Sequence, residues 1–166
     1  MLDGARTVSV IGDRWTLLIL RDCFLRVRRF EDLQERLGIT RPILASRLKK
    51  LVDALVLVKV PYQQRPPRYE YHLTQKGLDL YPVVMAIVHW GDVHMADKRG
   101  RPMLHTHDLC GKDFDPVMVC SKCGEPLMAR QVHVRAGPDA KSPRHLAMET
   151  NLAGARRTAK DTAAAS

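Results

Sequence analysis

Between residues 28 and 73 the chain reads RRFEDLQERLG, ITRPILASRLKKLVDAL, VLVKV, PYQQRPPR and YEYHLT, and no other stretch restricts the fold as strongly. Two short helical patterns are separated by a glycine, and an apolar ribbon with a basic, proline-rich tip follows. That order specifies a helix-turn-helix with a β-hairpin wing, and not a bare pair of helices. Phe30, Leu33 and Leu37 line one side of a helix over 30–37, with Glu31 and Asp32 in its first turn, where the helix dipole favours them. Gly38 fits the left-handed position that ends this helix. Thr40 is the expected N-cap of the next, over about 41–54, and Pro42 falls in its first turn, where its missing N–H costs nothing.

Leu44, Leu48, Leu51 and Leu55 are spaced as one buried stripe of that second helix. Pro42, Ala45, Ser46 and Lys49 fall near the opposite face, with Arg41, Arg47 and Lys50 on its shoulders. Small side chains allow close approach to base edges, and basic shoulders reach phosphates. An amphipathic surface helix with a solvated basic side would look the same in isolation, and its neighbours are what tip the reading towards DNA. Residues 56–60 are β-branched and Leu-rich, and Tyr69–Leu73 alternate with the period of a half-buried strand. The polar tip between them, residues 63–68, is stiffened by Pro66 and Pro67, and Arg65 and Arg68 are its expected phosphate or minor-groove contacts. Arg28 and Arg29, at the start of the helix-turn-helix, are expected to hold phosphates too.

Charge follows the same pattern. Residues 1–73 hold 14 Lys/Arg against 8 Asp/Glu, residues 74–136 hold 8 against 7, and residues 137–166 hold 5 against 3. The excess sits where contact with a phosphate backbone requires it. The early apolar run TLLIL is flanked by charges and is too short to span a membrane, so no membrane partner is expected and a cytoplasmic location follows. No nucleophile–base pair, glycine-rich phosphate loop or paired carboxylates stand out, which argues against an enzyme.

The flanking helices carry more apolar surface than a small winged-helix core can cover. The first, over about 5–25 and interrupted at Gly12-Asp13, places Trp15, Leu18 and Ile19 on one side and Leu17 and Leu20 on another, with Asp13 as the cap of its second part. After Thr74 a long helix is expected towards Trp90, with a kink or restart at Pro82. Tyr81, Val84, Met85 and Val88 form one stripe of it, and Leu80, Val83 and Ile87 another. The surplus implies a homodimer, which suits a two-fold, palindromic operator in double-stranded DNA.

A second motif follows. His107-x2-Cys110 and Cys120-x2-Cys123, each ahead of a glycine, have the spacing of a Cys3His structural Zn2+ site of the ribbon type, with His105 the rival for His107. Reduced thiols in a small hairpin, or a switch disulfide between Cys120 and Cys123, fit the same spacing. Cys23 reads as a buried apolar filler. Beyond residue 135 the composition lacks the apolar side chains needed to order itself.

VIGDRWTLLILRD, RRFEDLQERLGITRPILASRLKKL and YQQRPPRYEYHLTQKG together resemble the HxlR-type winged helix-turn-helix transcriptional regulators, relatives of the MarR group, from about Val8 to the WGD at 90–92. The resemblance implies a dimeric regulator, more often a repressor, that answers to a small-molecule or redox effector. In several members a cysteine just ahead of the first core helix senses oxidants; positions 1–12 have none, so that route is unsupported here. The expected architecture is α+β: a winged helix-turn-helix domain with a long C-terminal dimerisation helix over 1–97, a small zinc-ribbon-like β extension over 98–136, and a flexible tail over 137–166. A protein-interaction module with incidental DNA binding is the alternative.

Overall fold

The computed structural model describes residues 3–98, 100, 101 and 103–133; the tail expected over 137–166 lies outside them. The chain divides into two units, Met1–Pro116 and Val117–Ser166.

In the first unit the N-terminal helical element breaks at Gly12-Asp13, where an interruption is expected, into α1 (Asp3–Ile11) and α2 (Arg14–Phe24). The Asp13 carboxylate accepts the N–H groups of Trp15 (3.0 Å) and Thr16 (3.2 Å), as an N-cap should. Helix α3 (Phe30–Leu37) ends at Gly38 with φ of 60°, the left-handed turn that glycine adopts without strain. Helix α4 (Arg41–Asp53) follows, with Pro42 in its first turn; Thr40 occupies the cap position without a side-chain cap bond. Strands β1 (Leu57–Gln63) and β2 (Arg68–Leu73) pair antiparallel, from Leu57 opposite Leu73 to Gln63 opposite Arg68, with an irregularity after Pro61. A bridge between Arg29 and Glu70, with the Tyr71 N–H donating to the Arg28 carbonyl at 2.8 Å, ties the hairpin to the entry of α3.

The core lies under the two helices of the helix-turn-helix. Ile19 and Leu20 of α2, Leu33 of α3, and Leu44, Leu48 and Leu51 of α4 are fully or almost fully buried and join Val56, Leu57 and Val84 in one cluster. Leu55 departs from its expected place in the stripe. Helix α4 stops one residue earlier, Leu55 takes a φ of 57°, and its side chain turns out to solvent, 69% exposed. Val56 and Leu57 fill the core in its stead.

The helix expected after Thr74 also arrives in two pieces, α5 (Gln75–Leu78) and α6 (Tyr81–His94), with Pro82 opening the second. Val84 and Met85 of α6 face the core, and Leu80, expected on the surplus stripe, packs against it as well. Ile87 (48%), Trp90 (58%) and Val93 (53%) stay exposed, as does Val8 (65%) on α1. Short strands β3 (Thr106–His107) and β4 (Lys112–Asp113) pair as a second hairpin. In the second unit a bridge between Val119 and Pro126 and a 3-10 turn at Ala129–Gln131 are the regular features among the described residues. No helix among the described residues is long and apolar enough to cross a membrane.

The junction of α5 with the sheet is a close backbone approach. Thr74 caps α5 by accepting the Gly77 N–H and donates its hydroxyl hydrogen to the Leu55 carbonyl at 2.6 Å. A Cβ on Gly77 would lie 2.3 Å from the Val56 carbonyl oxygen, a backbone atom that cannot swing aside. Gly77→Ala is therefore expected to destabilise the fold by about 1–3 kcal/mol, the usual cost of overpacking, measurable by urea unfolding. Wild-type stability in that variant would mean the approach is looser than described.

Candidate nucleic-acid interface

One face of α4 is committed to the core, which leaves the opposite face to solvent. Thr40, Arg41, Pro42, Ala45, Ser46 and Lys49 are all exposed, and Lys50 is partly covered. Ala45 and Ser46 are themselves short, so an approaching partner can come close to the helix surface there. The cations on this surface are lightly held. Lys49 meets Asp53 at 2.6 Å one turn on, an exposed pair of the kind that contributes little. Arg41 lies over the Phe30 ring (5.0 Å to its centroid) and donates to the Gln34 side chain at 3.3 Å. Both contacts hold its guanidinium at the N-terminal end of α4.

Arg47 differs from its expected role on the docking shoulder. Its guanidinium is turned back to Asp13, with Nε to Oδ1 at 2.9 Å and Nη2 to Oδ2 at 3.2 Å. Spacing alone did not show this, because the partner lies 34 residues away, at the cap of α2. Arg29 is likewise engaged, donating to Glu70 at 3.1 Å and stacking over the Tyr62 ring at 4.6 Å. Arg28 is half-buried and supplies a backbone carbonyl to the sheet bridge.

At the wing, Arg65 and Arg68 are exposed and hold no ion pair among the described residues. Sequence reasoning missed Lys59, whose ammonium sits 3.8 Å from the Tyr69 ring centroid on the same hairpin. A cation and an aromatic on adjacent strands, diagonal across the pair, would have been visible once the register Lys59 opposite Tyr71 was known.

Cys23 is buried, and burial first, then the neighbouring Asp22 charge, push its thiol up to about 12. Such a thiol is unreactive at neutral pH. Asp22 itself is fully buried and paired with Arg21 (2.8 Å) and with Arg36 of α3 (3.3 Å), which fixes α2 against α3.

The Cys/His set falls across the two units, His107 and Cys110 in the first and Cys120 and Cys123 in the second. Within neither unit do three His, Cys, Asp or Glu side chains gather for a metal ion among the described residues. Each half nevertheless has the same local form. The Cys110 and Gly111 N–H groups donate to the His107 carbonyl (3.2 and 2.8 Å), and Gly111 has φ of 64°. The Gly124 N–H donates to the Cys120 carbonyl (2.9 Å), and Gly124 has φ of 75°. Cys110 Sγ lies 3.5 Å from His107 Nδ1. The Lys122 N–H points at Cys120 Sγ from 3.5 Å, and this donor, the Cys123 N–H and the Cys123 side chain hold the Cys120 thiol below its ordinary range. His105, the rival ligand, is partly buried, and its Nε2 is covered without a hydrogen-bond partner.

A helix-turn-helix with an open reading face and a basic hairpin beside it defines a winged-helix DNA-binding protein. Residues 10–99 match the HxlR-like helix-turn-helix family, and the chain belongs to it. It is 43% identical over 137 residues to an uncharacterized HTH-type transcriptional regulator of Mycobacterium tuberculosis, covering 82% of this chain and 87% of that one. Its fold is similar to that of PA1607, described as a candidate transcription factor, with a TM-score of 0.72 and 34% identity over 82% of this chain and 95% of that one. It is also similar to the redox regulator HypR in its oxidized form, with a TM-score of 0.53, 26% identity, and 58% and 100% of the two chains covered. The protein is thus a transcriptional regulator with a helix-turn-helix DNA-binding domain, and not an enzyme. The matches to the mycobacterial regulator and to PA1607 are too long to leave out residues 100–133, so this extension is present in some relatives, whereas 58% of the chain is enough to cover HypR completely.

If the wing arginines neutralise phosphates, Arg65→Ala lowers the slope of log affinity against log salt by about one and leaves sequence preference unchanged. Titrations at several salt concentrations measure this; an unaltered slope would remove Arg65 from the interface.

Proposed function

We propose that the protein is a homodimeric repressor that binds a palindromic operator, with the N-terminal half of α4 in the major groove and the wing on the adjoining backbone. The observation that carries this reading is the open face of α4, where Ala45 and Ser46 lie between Arg41 and Lys49 with Leu44, Leu48 and Leu51 buried behind them. Thr40, Arg41, Pro42, Ala45, Ser46, Lys49 and Lys50 meet the groove, and Arg28, Arg29, Arg65 and Arg68 reach phosphates. A second copy is supported by the exposed apolar residues of α1 and α6, Val8, Ile87, Trp90 and Val93 among them, which an isolated chain would leave in water. Two recognition helices related by a two-fold axis then read two half-sites.

A small effector suits the cavity of about 140 Å3 beside α6, lined by Met85, Val88 and Phe114 with His89, Arg101 and Asp115. Arg101 pairs with Asp115, which also lies 3.6 Å from His89. An occupant there touches α6 directly, so it would bias the dimer geometry.

The extension is proposed as a zinc ribbon in which His107, Cys110, Cys120 and Cys123 hold one structural Zn2+. What supports it is the repeated turn, with a positive-φ glycine after the second ligand of each pair and an N–H aimed at Cys120 sulfur. Such donors stabilise thiolate, the form that binds metal. A closed set of four ligands stabilises a short segment and leaves no position for catalysis. Elemental analysis of purified protein should find about one zinc per chain, lost in Cys120→Ser; metal-free wild type would refute the site.

The regulatory reading is tested by capturing genomic fragments with the purified protein at moderate and high salt and sequencing them. The expected result is a few inverted repeats that persist at high salt, bound by a species of twice the chain mass. Uniform recovery that vanishes with salt would show that only charge is read, and would favour a protein-interaction module.

A further inference from the structure

We infer that Asp13 and Arg47 form a clamp that sets the pose of the recognition helix, so that Arg47 is a positioning residue and not a contact to DNA. The inference rests on the DNA-binding reading of α4 and assigns a different role to one of its basic shoulders.

Arg47 lies three residues after Leu44 and four before Leu51, so it flanks the buried stripe and does not share the face of Ala45, Ser46 and Lys49. From that edge its guanidinium reaches both carboxylate oxygens of Asp13, at 2.9 and 3.2 Å, in a two-point contact. Two parallel bonds from a planar fork fix direction as well as distance, which a single lysine contact cannot do. The two side chains are about equally sheltered, 30% and 31% exposed. Hydrogen bonding from Arg47 is the leading reason the Asp13 carboxyl titrates below the usual carboxylate range, so the pair stays charged at neutral pH.

The other end of the clamp is itself fixed. Asp13 Oδ1 accepts the N–H groups of Trp15 and Thr16, so the carboxylate cannot turn without uncapping α2. Leucine packing lets a helix slide or roll by small amounts, and a directional bond at one edge removes the roll about its axis. That rotation aims Ala45 and Ser46 at base edges. A phosphate approaching the remaining Nη1 donors of Arg47 would meet a charge already neutralised by Asp13, so such a contact contributes less than one from an unpaired arginine. Asp13 also adjoins Gly12, at the joint between α1 and α2.

The two roles for Arg47 give opposite results for Asp13→Asn, which keeps a side-chain acceptor for the α2 cap and removes the charge. The clamp requires Asp13→Asn and Arg47→Ala each to weaken operator binding about fivefold to tenfold, with the double variant no weaker than either single one. Affinity for non-operator duplex and the salt slope stay at wild-type values, which a general loss of folded protein would not allow. A slope lowered by about one in Arg47→Ala, with Asp13→Asn binding as tightly as wild type or tighter, would instead make Arg47 a phosphate ligand and overturn the inference. Unchanged operator binding in both variants would overturn it too. Thermal unfolding of the same four proteins separates this from failure of the DNA reading: the clamp requires non-additive destabilisation even if no operator is found, and additive losses contradict it.

Discussion

Burial of a single leucine stripe on α4 governs what the rest of this molecule can do. Leu44, Leu48 and Leu51 are sealed against Ile19, Leu20 and Leu33, and removing three leucines from water stabilises the helix with this side inward by roughly 1.5–3 kcal/mol for each side chain. Because a helix has only one opposite side, that burial dictates which residues meet solvent, and Arg41, Ala45, Ser46 and Lys49 are among them. Gly38 sets the angle at which α4 leaves α3, and Asp22, held by Arg21 and Arg36, keeps α3 on α2. Removal of any of these would change the direction of the reading face before it changed the face itself.

The wing obeys a different constraint. Its strands are largely exposed, so its place is set by backbone pairing and not by a core of its own. The bridge from Arg29 to Glu70, reinforced by their ion pair and by Arg29 over Tyr62, anchors the hairpin to the entry of α3. Arg65 and Arg68 at the tip then move with the same body as the recognition helix. Glu70 is held below the usual carboxylate range first by Arg29 and then by His72, so this anchor is ionised at neutral pH.

Much of this was legible in the residues because it depends on local rules. Helix α3, the left-handed Gly38, the Asp13 cap and the two wing strands each follow from a few neighbouring side chains. The departures at Arg47 and α5 involve something remote in sequence, and the one at Leu55 a competition between neighbours. Leu55 continued the helical spacing, but Val56 and Leu57 compete for the same core and the chain reverses there. Arg47 had the spacing of a docking residue, and only the approach of α2 shows that Asp13 claims it. Thr74 could start a long helix, yet contact between Gly77 and the start of β1 confines α5 to one turn before Pro82 opens α6. In the Cys/His segment the residue spacing and glycine turns were readable, whereas the division of the chain after Pro116 was not.

The most direct test of α4 as the reading element is protection of guanine N7 from methylation on an operator recovered from the genome. N7 lies in the major groove, so a helix seated there shields it, whereas phosphate contacts alone do not. The expected result is two symmetric patches of protection, their centres one helical turn or a multiple of it apart (a turn being roughly 34–36 Å), both lost when Ala45 is replaced by a bulky residue. Protection of a single patch would contradict the two-fold assembly, and tight binding with no protected guanine in a G-containing half-site would contradict docking of α4 in the major groove.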